Sequence, residues 1–167
     1  VIERPAARPA PAGTADERTM LEGFLEQYRV IVLRKVTGFD DDLARRELVA
    51  SHTTVAGVLR HLTWVEHAWF VEVLDGEPRP GWRDSNPEWQ FRAGTEPVAE
   101  LIMAYREACD RSRRIAESRS LDDTGVHPRM GTVSLRWIYL HMIEEIARHA
   151  GHLDILIEQL DGSSGFD

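Results

Sequence analysis

The segment "HMIEEIARHAGHLDIL", residues 141 to 156, has helical periodicity, yet the positions it turns inward are not all apolar. Steps of four and three residues place Ile138, Met142, Glu145, His149, His152, Leu156 and Gln159 on one stripe, the seam that a packed helix buries. A carboxylate and two imidazoles therefore sit in the middle of an apolar seam. Buried charge is costly unless it is paired or metal-bound, so whatever this chain folds into must provide partners for those groups.

The chain has 167 residues, of which 43% are apolar, enough for one domain with a substantial core. Its net charge of -8 argues against a nucleic-acid partner, since affinity for phosphate backbones rests on basic surface. Cys109 is the only cysteine, which excludes an internal disulfide and a cysteine-rich metal site. No apolar stretch approaches the roughly 20 residues needed to span a bilayer, and "VIERPAARPAPAG" lacks the apolar centre of a signal peptide. The expectation is a soluble cytoplasmic protein with no membrane partner.

Residues 1–13, rich in proline and alanine, read as a flexible or loosely docked tail, and 163–167 as a second tail. Thr14 with Glu17 resembles a capping box opening a first helix, with Met20, Phe24, Tyr28 and Ile31 as its apolar stripe and Gly38 as its stop. "FDDDLARREL" suits a short helical turn. A second long helix is expected from Thr53 or Thr54 to Leu74, and a third capped by Thr95, with Pro97 in its first turn. Between them lies a long connection holding Trp82, Trp89 and Phe91, unusual for a purely solvated loop. A fourth helix runs from about Ser134 to Leu160, closed by Gly162, and no strand pair shows convincing alternation. Four amphipathic helices over residues 14–162 predict an all-α four-helix bundle.

Glu145 and His149, four apart, project from the same side of the fourth helix. Alone they would suit a buried Glu–His pair, or a helix rotated so that both face water. The second helix changes the balance. Its stripe Val58, His61, Val65, Ala68 also carries one histidine amid apolar side chains. Facing helices assemble bundle metal sites in this way, and two histidines with one carboxylate suit zinc or another divalent ion while leaving positions open. A purely structural zinc site would normally use four protein ligands, so the set points to catalysis.

"VLRHLTWVEHAWF" together with "RWIYLHMIEEIARHAGHLDIL" resembles the DinB-like superfamily, near its mycothiol-dependent maleylpyruvate isomerase and S-transferase branch. The resemblance implies an up-down-down-up bundle and a metal held by a histidine on the second helix and an E-x-x-x-H pair on the fourth. Carried onto this chain, the ligands are His61, Glu145 and His149. Zinc is the expected metal, with nickel, manganese or iron as alternatives, and mycothiol the implied thiol co-substrate. The chain carries no counterpart of the isomerases' additional C-terminal domain, so that isomerisation is not expected of it.

His152 reads as a partner of a ligand, with a proton shuttle or a fourth ligand as alternatives, and His141, one turn before Glu145, as a pocket residue. Cys109 reads as core, and Trp64, Trp69 and Trp137 as packing residues. His52, His67 and His127 read as surface or loop residues, and Glu66 and Glu144 as solvated or paired with arginines such as Arg148. Arg136 and Arg148 are candidates for contacting anionic substrate groups, with ordinary surface pairing as the plainer reading. The leading functional expectation is a metal-dependent S-transferase joining a small thiol to a small electrophile. A metal-dependent hydrolase and a non-enzymatic metal-binding stress protein are the alternatives, and a homodimer through a helix face is a further expectation.

Overall fold

The computed structural model describes residues 2–77, 91 and 94–163. The protein is mostly helical. Helix α1 spans Glu17–Val36, a short α2 Asp41–Ala44, α3 Val55–Glu66, α4 Val98–Glu117 and α5 Leu135–Asp161. A π-helical segment, His67–Leu74, continues directly from α3. A two-stranded antiparallel hairpin, β1 Thr124–His127 and β2 Gly131–Ser134, precedes α5. Helix α1 packs on α5, and α3 packs on both α4 and α5. No helix among the described residues is long and apolar enough to cross a membrane.

The helix ends follow capping chemistry, not always at the expected residue. Asp16, not Thr14, caps α1 by accepting from the Thr19 amide, and the left-handed backbone of Gly38 (φ 82°) follows its last turn. Thr54 caps α3, as expected, with its hydroxyl accepting from the Gly57 amide at 3.0 Å. Thr95 does not cap α4. Pro97 occupies the cap position, and the carboxylate of Asp41, on α2, accepts from the Val98 amide at 2.7 Å. The short helix thus stops an orphan donor of the third long one. Ser134 and Gly162 (φ 80°) bound α5.

The apolar stripe expected on α1 is displaced. The buried positions are Leu25, Arg29, Val32, Leu33 and Val36, whereas Phe24 is exposed and Met20, Tyr28 and Ile31 are only partly buried. An arginine in the true seam masked it. Arg29 makes two hydrogen bonds to Glu66, Nε to Oε1 at 2.7 Å and Nη2 to Oε2 at 2.5 Å, and Glu66 is wholly buried. Of the two readings of Glu66, pairing with an arginine holds, with Arg29 as the partner, and solvation does not. Cys109 lies beside this pair, its thiol 3.7 Å from Glu66 Oε1. Burial, then the Glu66 charge, pushes that thiol far up, which leaves it a core group without thiolate character.

The hairpin was not expected, since each strand has four residues and its outward Val126 is largely exposed. It is seated on the π-helical segment: a Cβ on Gly125 would lie 1.9 Å from the Val73 carbonyl oxygen, so only glycine permits that approach. The N-terminal stretch docks rather than floats. Arg34 donates to the Pro5 carbonyl at 2.8 Å, Arg106 to that of Glu3 at 3.0 Å, and Pro11 rests where Gly23 lacks a side chain.

Candidate metal centre

Helix α3 turns Val58, His61 and Val65 into the interior, its π-helical continuation adds Ala68, and α5 turns in Ile138, Met142, Glu145 and His149. The two seams face one another, so His61 meets Glu145 and His149 at one depth. Nε2 of His61 lies 2.9 Å from Glu145 Oε1, and Nε2 of His149 lies 3.2 Å from that same oxygen. All three side chains are buried. One ligand atom from each falls within 4.8 Å of the others. A tetrahedral ion with bonds of about 2.0–2.2 Å separates its ligand atoms by roughly 3.3–3.6 Å, so the donor set could hold a divalent metal.

The carboxylate is held by its surroundings. Its second oxygen, Oε2, accepts from Arg148 Nη1 at 3.0 Å, and the other arm of Arg148 reaches Glu144. Hydrogen bonds from His149 and His61 hold the Glu145 carboxyl far below the usual carboxylate range, although burial opposes them. Oε1 is thus presented to the imidazoles while Oε2 is turned to a guanidinium.

His152 lies outside the cluster, exposed at the helix surface, with Nδ1 3.2 Å from Nδ1 of His149. One of the two nitrogens carries the proton. A proton on His149 Nδ1, donated to His152, would leave His149 Nε2 as the ring's acceptor nitrogen, the tautomer that a metal ligand needs. Burial, then the neighbouring His149 and Arg148, lowers the His152 pKa, which suits a neutral acceptor. His141 is half-buried one turn before Glu145, stacked on Trp137 at 5.1 Å and edge-on to Trp69 at 4.5 Å. Burial pushes its pKa down against the pull of Glu145 and Glu144.

Phe91 adds a contact that helix periodicity has no means of showing. Its ring stacks on His61 at 4.3 Å and 25°, and lies 5.6 Å from the His149 ring. Trp82 and Trp89, expected in the same connection, lie outside the described residues. Trp64 stands 5.9 Å from His61. Arg136 is engaged on the surface by Glu17 and Asp122, and His52 by Glu47. His127 stacks on Trp69 at 4.9 Å instead of standing free, and His67 approaches Glu72 at 3.5 Å. A cavity of about 470 Å³ lies away from the cluster, between α1 and α4, lined by Arg29, Phe70, Ser112 and Tyr139 among others.

Two imidazoles and a carboxylate, converging from facing helices in a mostly helical protein, define a candidate divalent-metal centre. The sequence model of the Mycothiol-S-transferase family matches residues 20–162, which include all three residues and both helices. The chain belongs to that DinB-like family. No curated protein matches the chain as a relative.

Proposed function

We propose that the protein is a metal-dependent mycothiol S-transferase, with His61, Glu145 and His149 as the ligands of one divalent ion, zinc by preference. The observation that carries this reading is the approach of both Nε2 atoms to a single carboxylate oxygen, at 2.9 and 3.2 Å, inside a chain of this family. Two nitrogens and one oxygen suit zinc. A bound ion supplies Lewis-acid stabilisation of a thiolate near neutral pH, where a free thiol is mostly protonated.

The chain's own residues have separate tasks in this reading. Nε2 of His61 and of His149, each within hydrogen-bond reach of Glu145 Oε1, would give up its proton and offer a lone pair to the ion. His152 accepts from His149 Nδ1 and so keeps that lone pair in place. Arg148 holds Glu145 Oε2 and leaves Oε1 turned inward. In the transfer itself the thiol gives up its proton to solvent, its sulfur pair forms a bond to an electrophilic carbon, and a leaving group departs with the bonding pair. The corresponding architecture is a four-helix bundle over residues 14–162, made of α1, α3 with its π-helical continuation, α4 and α5, in up-down-down-up order. Its partners are a small thiol and a small electrophile in the cytoplasm.

Incubating zinc-loaded protein with mycothiol and a panel of small electrophiles, followed by mass spectrometry, tests the reaction. The expected product is the mycothiol thioether, formed faster than without protein. Equal rates with and without protein across the panel, with the metal retained, would remove the transferase reading.

A further inference from the structure

Phe91 and Gly57 occupy the same spot from two distant parts of the chain. Gly57 lies in the first turn of α3, one turn before His61. A Cβ built on it would sit 1.7 Å from the Phe91 carbonyl oxygen and 2.5 Å from the Phe91 carbonyl carbon. The obstruction is backbone, which cannot swing aside as a flexible side chain would. The missing side chain of Gly57 is therefore the seat of Phe91. Seated there, the Phe91 ring lies close to parallel with His61 and also approaches His149.

Helix chemistry gives no other reason for a glycine at this position. Glycine is a poor helix former relative to alanine, and Thr54 already caps the turn through the Gly57 amide, which any residue except proline supplies. The backbone approach is what requires it. An apolar ring over a ligand imidazole restricts the ring's rotation and limits solvent access, and such outer contacts tune metal affinity and exchange.

We infer that Phe91, seated by Gly57, is a positioning residue of the metal centre: it fixes the His61 ring and controls how readily the bound ion exchanges. The inference rests on the reading of His61, Glu145 and His149 as metal ligands. Release of zinc from the loaded, full-length protein to a chromophoric chelator measures it directly. Phe91→Ala and Gly57→Ala should each speed release, by about 10- to 100-fold, the range typical of lost outer-shell support. Phe91→Tyr, which keeps the stacked ring, should release zinc at close to the wild-type rate. Thermal melting of the metal-free proteins separates this from general loosening: faster release by Phe91→Ala at a melting temperature close to wild type supports the positioning role, and faster release only in variants whose melting temperature falls in proportion would overturn it. Wild-type protein that holds zinc, with unchanged release in both alanine variants, would overturn the inference alone. Wild-type protein that holds no divalent metal would overturn the metal reading and this inference with it.

Discussion

Arg148 donates to Glu145 through Nη1 at 3.0 Å, on the one carboxylate oxygen that the two imidazoles leave aside. The contact is an i,i+3 ion pair on a single helix, and Arg148 is half exposed, so its worth to folding is small, below about 1 kcal/mol. Its worth to the site is larger, because it sets which oxygen points inward. Arg148→Gln should weaken zinc affinity about 10-fold, and His152→Ala by a similar or greater factor, with little change in the melting temperature of the metal-free protein. Competition titration against a chelator of known affinity reads both. Equal zinc affinity in all three proteins would show that neither side chain supports the ligands.

Arg29 and Glu66 form the opposite case, a buried pair whose role is folding. Arg29 is also bonded to Glu26, and its guanidinium lies 5.7 Å from the Phe70 ring centre. Removing one member leaves an uncompensated buried charge. Glu66→Ala or Arg29→Ala should each cost about 3–5 kcal/mol, while replacing both by apolar residues of similar volume should recover much of it. Urea denaturation of the two single variants and of the double variant measures the difference. Additive losses would mean that the pair is not coupled.

Acid should act on the protein in two separate ranges. Coordination requires imidazole nitrogens free of protons, so protons compete with the metal as the solution is made acidic, and zinc-loaded protein should lose its metal-dependent stability there. A second loss belongs to Glu26. Burial alone would raise its pKa, but the Arg113 hydrogen bond and the charges of Arg29 and Arg113 prevail and lower it. A carboxyl depressed on folding contributes stability above its unfolded pKa, and that contribution is lost as pH falls through the lower folded value. Chelator should therefore abolish the first step only, and Glu26→Gln should flatten the second only. Thermal melts from pH 7 to pH 3, with and without chelator, distinguish them.

The helices were legible because their seams are mostly apolar, and the candidate cluster because three polar groups interrupt two of those seams. Where the reading slipped, a physical cause is visible. On α5 the expected stripe holds as far as His149, but His152 and Gln159 face outward while Leu153 and Ile157 are buried. A 3.5-residue step drifts by about 20° per heptad on a straight α-helix, so the true seam moves off the assumed one. On α1 the polar Arg29 hid the seam, because its partner Glu66 is 37 residues away. The α4 cap belongs to Asp41, and the seat of Phe91 to Gly57; both are contacts between segments that no local pattern joins.

The central claim is that three side chains hold one divalent ion, and metal stoichiometry after zinc loading and exhaustive dialysis tests it most directly. Wild-type protein should retain about one zinc per chain, as expected for a single three-ligand centre. His61→Ala, Glu145→Ala and His149→Ala should each retain far less while staying helical by circular dichroism. Retention of zinc by all three variants at the wild-type level, or none by the folded wild type, would contradict the account.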